Sequence, residues 1–181
     1  WPGDINELAD ARRRLSFNEF LAFFLGLSRL KNENQVRKVA QVLHRVPDTD
    51  RLLEKLPYRL TGAQLRVWAQ IEEDMSRDVA MNRLVQGDVG SGKTILAFLA
   101  LLMCAANGRQ GCLMAPTEVL AAQHFEALSG LCKEQDLCIR PVLLTGSTPA
   151  REKKRIYQAI SEGEYNVIVG THALIQEKVE Y

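Results

Sequence analysis

From about residue 58 onward the chain carries apolar positions in two alternating rhythms. Short apolar runs, "NRLVQ" (82–86), "GCLMAP" (111–116), "CIRPVLL" (138–144) and "YNVIVG" (165–170), read as buried strands. Longer stretches with helical spacing separate them, starting near Gly92, Glu118 and Pro149. Another helix opens at "LTGAQLRVWAQIEEDM", where Thr61 is the expected N-cap and Gln64 stands three residues on. The helix near Pro149 is expected to use Thr148 as N-cap, with proline at its first position and Gly163 past its end. Strands alternating with helices through short connections predict an α/β fold with a parallel sheet and right-handed crossovers.

The first 57 residues follow helical periodicity alone. "SFNEFLAFFLGLSRL" (16–30) places Phe17, Phe20, Leu21, Phe24 and Leu27 at helical spacing, with Ser16 and Glu19 as an expected capping box. A second helix is expected from about Gln35 to Val46, stopped by Pro47. A proline-bracketed connector with a short helical turn follows at 47–57. The expected division is therefore an all-helical segment, 1–57, and an α/β part, 58–181.

Composition narrows the classes without choosing one. Apolar residues make up 46% and charged residues 25% of 181, as in ordinary globular proteins. A net charge of +1 gives no global pull toward nucleic acid or membrane, so any DNA claim has to rest on particular residues. Cys104, Cys112, Cys132 and Cys138 lack paired C-x-x-C spacing and read as reduced thiols. The longest apolar run, "ILAFLALLMCAA" (95–106), is shorter than the ~20 residues that span a bilayer. The start of the chain is charged rather than signal-like, so a cytoplasmic setting and no membrane partner are expected.

One stretch carries chemistry. "GDVGSGKT" (87–94) places Gly87, Gly92, Lys93 and Thr94 in the pattern G-x-x-x-x-G-K-[ST], directly after an expected strand and at a helix start. Glycines let the backbone curl so that successive N–H groups face phosphate oxygens, and the helix N-terminus adds partial positive charge. Asp88, Val89, Gly90 and Ser91 complete the loop. Lys93 would reach the β- and γ-phosphates of ATP, and Thr94 would hold Mg²⁺. Gln64 has two readings, an adenine-reading amide or simply the second half of a capping box.

Three turns share a second pattern. Pro116 and Thr117, then "LLTGST" (143–148), then "VGTHAL" (169–174), each follow a strand with small hydroxyl-bearing residues. Carboxyl ends of parallel strands are where open α/β sheets bind ligands, and such turns could line a track of phosphate contacts. Thr117 also reads as a plain N-cap, and His172 as a polar loop residue. The basic runs 11–14 and 150–155 read as solvated helix faces.

Taken together, "LTGAQ", "LVQGDVGSGKT", "MAPTEVLAAQH", "LLTGS" and "VGTHALIQEKVEY" resemble the successive motifs of a superfamily 2 helicase. The wording is nearest the bacterial branch-migration helicases that remodel stalled forks and Holliday junctions. The resemblance covers about residues 56–181, and "LSFNEFLAFFLGL" is similar to the helical stretch leading into such motors. It implies a RecA-like P-loop lobe using ATP and Mg²⁺, in a bacterial, nucleoid-associated setting, acting on branched or duplex DNA as a monomer. It makes Gln64 the adenine-sensing residue and Gly87–Thr94 the phosphate loop. Pro116, Thr117, Thr145, Gly146, Thr171 and His172 become DNA contacts. One departure stands out: none of the expected strands ends in the Asp-Glu pair with which such motors hold Mg²⁺ and orient water. The chain therefore looks like an internal piece of a longer protein, without its wedge domain and second motor lobe, and inactive as an ATPase alone. Two other readings are a related translocase of transcription-coupled repair or replication restart, and a small-molecule phosphotransferase. A non-catalytic nucleotide-responsive module would describe the piece in isolation.

Overall fold

In the computed structural model a three-stranded parallel sheet is ordered β1–β3–β2, with β1 spanning Gly111–Met114, β2 Pro141–Leu144 and β3 Val167–Gly170. The structure describes residues 4–36 and 42–175. The described residues form six helices: α1 (Ile5–Val36), α2 (Pro47–Lys55), α3 (Gly62–Met75), α4 (Lys93–Ala106), α5 (Glu118–Gln135) and α6 (Ala150–Ser161). A 3-10 turn, His172–Ile175, follows β3. The central strand is buried along its whole length, as its apolar composition requires. At its end Gly170 pairs with Leu144, and a Cβ there would stand 1.9 Å from the Leu144 carbonyl oxygen. Only glycine lets the two strands close at that point.

The chain divides into two compact units, Trp1–Gln41 with Asp78–Ala80, and Val42–Arg77 with Met81–Tyr181. The expected division at residues 57/58 thus falls inside the second unit. Leu52 of α2 is fully buried there, and Leu43, Val46, Leu53 and Leu56 pack on the same core. At the heart of that core lies α4, which is apolar on every side: Leu99, Leu102 and Met103 are fully buried, and α2, α3 and β1 pack around it.

Several sequence expectations change. The first helix starts at Ile5, not Ser16, because Asp4 caps it by accepting from the Glu7 N–H at 2.8 Å. Ser16 and Glu19 lie in its interior, so their spacing is not a capping box. The side chains from Asp4 to Leu30 are all exposed, Phe17, Phe20 and Phe24 included.

No helix covers 42–46. Residues 35 and 36 end α1, and the remainder of that expected helix, 37–41, lies outside the described residues. Pro47 forces Val46 into extended backbone (φ −123°, ψ 142°) and then serves as the first residue of α2. "NRLVQ" is not a strand either. It pairs with no strand among the described residues, and Arg83 instead anchors it to α3 through Asp74 (Nε, 2.7 Å) and Gln70 (2.8 Å). Thr148 does not cap α6, which has Pro149 in that position; its hydroxyl accepts from the Thr145 N–H at 3.1 Å. The capping box at Thr61 and Gln64 and the left-handed Gly163 (φ +73°) match their expected roles.

Burial pushes the Cys132 thiol up to about 11 and raises Cys104 as well, so these thiols stay protonated near neutral pH. Among the described residues no helix is long and apolar enough to cross a membrane.

Asn107, just past α4, satisfies the extended segment that sequence reading made helical. Its Oδ1 accepts from the His44 N–H (2.9 Å), and its Nδ2 donates to the carbonyls of His44 (2.8 Å) and Met103 (2.8 Å). Asn107→Ala should therefore lower the unfolding free energy by about 1–3 kcal/mol in urea titration. Asn107→Asp, which would set a carboxylate oxygen against the His44 and Met103 carbonyls, should lose at least as much. An unchanged midpoint in the alanine variant would show that the segment is held by its apolar contacts alone.

Candidate nucleotide and nucleic-acid site

The loop 87–92 is shaped by two glycines and closed by a lysine. Gly90 (φ +79°) and Gly92 (φ +78°) adopt left-handed backbone that side-chain-bearing residues avoid. Ser91 N–H donates to the Asp88 carbonyl at 3.1 Å, completing the turn. A Cβ at Gly87 would meet Ser91 Oγ at 2.7 Å, so this glycine is needed for space rather than for φ. Lys93 Nζ donates to the carbonyls of Gly87 (2.7 Å) and Asp88 (2.6 Å), with Ser91 Oγ at 3.4 Å. The ammonium thus stands over the loop, inside the ring of backbone that a phosphate would share. Thr94, the second residue of α4, is exposed beside it. Asp88 and Val89 form the exposed outer edge.

The N-terminus of α4 differs from those of α3 and α5. Thr61 and Thr117 cap those two helices with their side chains, whereas Gly92 has none to offer α4. The first N–H groups of α4 therefore face outward with the positive end of the helix dipole. The donor set, several backbone N–H groups, one ammonium and one hydroxyl, fits a polyphosphate carrying Mg²⁺. Gly90 and Gly92 keep side chains out of its path. Among the described residues no three His, Cys, Asp or Glu side chains gather as a metal site.

Gln64 forms the capping box and makes a further bond across to the loop. Its Oε1 accepts from the Thr61 N–H (2.7 Å) while its own N–H donates to Thr61 Oγ1 (3.2 Å), a reciprocal capping box. Its Nε2 donates to the Ser91 carbonyl at 2.7 Å, tying α3 to the 87–92 loop. A Cβ at Gly92 would stand 2.3 Å from that nitrogen. Packing of α3 on α4 brings residues 27 positions apart into this contact.

The three strand-end turns sit at the carboxyl ends of β1, β2 and β3. Pro116 and Thr117 are exposed, and Thr117 Oγ1 accepts from the Leu120 N–H at 3.3 Å as the α5 cap. Gly146 is exposed, but Thr145 is buried, and its hydroxyl lies 3.0 Å from Ser147 Oγ and 3.3 Å from Thr148 Oγ1. Thr171 is half-buried and His172 exposed at the start of the 3-10 turn. The last residues of that motif, 176–181, lie outside the described residues.

Sequence reading missed Glu118 and Ser147 as partners. The Glu118 carboxylate takes Ser147's O–H at 2.6 Å and its N–H at 2.9 Å, which holds its pKa below the ordinary carboxylate value, with Gly146 and Lys153 adding to the effect. An acid at the first position of a helix already has a local explanation in the dipole, so nothing near Glu118 in sequence points to residue 147.

A glycine- and lysine-bearing loop at the first turn of a helix, a glutamine from the preceding helix and parallel strands ending in hydroxyl-bearing turns have the layout of a P-loop α/β lobe. The family description "DEAD/DEAH box helicase" matches residues 61–180, and the chain belongs to that family. Among individual proteins it is similar to the ATP-dependent DNA helicase RecG. The Aquifex aeolicus protein is 44% identical over 98% of this chain and 22% of its own length. RecG of Escherichia coli K12 is 45% identical over 94% of this chain and 24% of its own. A solved structure described as RecG bound to a three-way DNA junction superimposes with a TM-score of 0.86 at 35% identity, covering all of this chain and 25% of that one. The fold is thus that of a RecA-like helicase lobe preceded by a helical segment, and the chain spans about a quarter of the length of these relatives.

Two glycine substitutions separate the parts of the loop. Gly90→Ala faces open space and suffers only the left-handed backbone, about 1–2 kcal/mol. Gly92→Ala suffers the same and also displaces Gln64. Binding of a fluorescent ATP analogue should weaken in both, and roughly tenfold or more in Gly92→Ala, as a few kcal/mol of combined strain implies. Equal losses would mean that the Gln64 link is irrelevant to the loop.

Proposed function

We propose that the chain is part of the first motor lobe of an ATP-dependent DNA helicase that remodels branched DNA, such as stalled forks and Holliday junctions, in recombination and repair. The observation that carries the reading is the loop over α4, with Lys93 and Gln64 converging on it. It is supported by similarity across the whole chain to a protein solved on a three-way junction. In this reading Lys93 exchanges the carbonyls of Gly87 and Asp88 for phosphate oxygens of ATP, and the loop's N–H groups hold the rest. Bound Mg²⁺ supplies charge neutralisation on the phosphates, and Thr94 is the side chain that holds it. Gln64 reads adenine with the amide that otherwise bridges to Ser91. Pro116, Thr117, Thr145, Gly146, Thr171 and His172 lie along the DNA path. Because Thr145's hydroxyl is turned inward, its share comes through the backbone of its turn.

Residues 58–181 are the front part of the lobe, and the α1 segment leads toward a wedge domain in the longer polypeptide. That polypeptide acts as a monomer in the bacterial cytoplasm, on nucleoid DNA. By themselves the 181 residues bind nucleotide without turning it over, since their sequence holds no Asp-Glu pair.

The test is ATP hydrolysis by the longer polypeptide on a three-way junction, a linear duplex and a single strand, with Lys93→Ala as control. Strongest stimulation by the junction, lost in the variant by roughly a hundredfold or more, is expected. Equal rates with and without DNA would detach the loop from nucleic acid. Turnover by the 181-residue chain that vanishes in Lys93→Ala would refute its predicted inactivity.

A further inference from the structure

One side chain joins two of the strand-end turns. Glu118, the first residue of α5, extends from the 116–118 turn and accepts both the N–H and the O–H of Ser147 (2.9 and 2.6 Å). From the other side Lys153 of α6 donates to the Gly146 carbonyl at 2.8 Å. Within the turn, Thr145 N–H donates to Thr148 Oγ1, and the Thr145 and Ser147 hydroxyls lie 3.0 Å apart. Gly146 leaves just enough room, since a Cβ there would stand 3.0 Å from Glu118 Oε1. The partners are 29 residues apart, so this is a tertiary contact rather than turn chemistry.

We infer that Glu118 is a positioning residue for DNA, locking the 145–148 turn to the 116–118 turn so that both meet a phosphate backbone as one preformed surface. The inference rests on the reading of these turns as a DNA path under Proposed function. An exposed turn containing glycine loses conformational entropy whenever a ligand orders it, and ordering it beforehand removes that cost from binding. Bonds accepted by a carboxylate are the stronger kind and suit the task. A carboxylate on a DNA path would otherwise repel phosphate. Here Ser147, Lys153 and the positive end of α5 meet its charge, which reconciles the acid with its place. The opposite role, an acid blocking donors that phosphate needs, predicts the opposite sign on removal.

The experiment measures binding of a fluorescein-labelled three-way DNA junction and, separately, of a fluorescent ATP analogue to the 181-residue chain. Glu118→Ala should weaken junction binding roughly three- to tenfold, within the range for coupled neighbours, and leave nucleotide binding unchanged. Glu118→Gln, which keeps an acceptor for the Ser147 N–H, should recover part of the loss. Adding Ser147→Ala to Glu118→Ala should cost little more. Unchanged or tighter junction binding in Glu118→Ala overturns the inference, the tighter result identifying a blocking acid. Loss of nucleotide and DNA binding together in both variants also overturns it, since that is a folding defect. Wild-type chain that binds no DNA sinks the functional reading and this inference alike. Wild-type binding that the variants do not alter sinks the inference alone.

Discussion

The burial of α4 is the constraint from which the rest of the second unit follows. A helix apolar on all sides cannot lie on a surface, so α2, α3 and β1 pack around it. That packing fixes the helix start, and with it the loop that must turn into it through Gly90 and Gly92. It also fixes α3 against α4, which is why the amide of Gln64 falls on the Ser91 carbonyl. Core and site are thus one object. The helix whose length is spent on hydrophobic contact has its first turn turned outward, uncapped by any side chain.

The loop and the strand-end turns handle charge in contrasting ways. At the loop a cation is held by backbone carbonyls, Lys93 on Gly87 and Asp88, in positions it can leave for a more negative partner. At the 145–148 turn an anion is held by donors, Glu118 on Ser147, with a second cation, Lys153, behind it. Each arrangement gives an exposed charged side chain partners within the protein: carbonyls for Lys93, and the N–H and O–H of Ser147 for Glu118. The near-zero net charge of the chain is consistent with this: the electrostatics that matter are local pairs, not a global field.

Much of the site was legible because its chemistry is local. The glycine and lysine spacing of the loop, the Thr61–Gln64 capping box, the Thr117 cap and the glycine after α6 are each set by neighbours within a turn. Errors came where two distant segments compete for the same backbone. Residues 42–46 have helical periodicity, yet Asn107 offers His44 a donor and an acceptor that hold it extended. "NRLVQ" has strand character, yet a strand exists only with a partner, and Arg83 ties it to α3 instead. Ser16 and Glu19 have capping-box spacing, but a helix already begun at Asp4 runs through them.

By itself the sequence determined the α/β class, the parallel sheet, the glycine-shaped turn at 87–92 and the turns at the strand ends, because periodicity, glycine φ and capping act over a few residues. Only the tertiary structure decided how those pieces meet. It gave Gln64 a second bond, turned the Thr145 hydroxyl inward and bound Glu118 to Ser147. The physical reason is the same in each case: a side-chain hydrogen bond is chosen by what packing brings within about 3 Å, and packing is a property of the whole core.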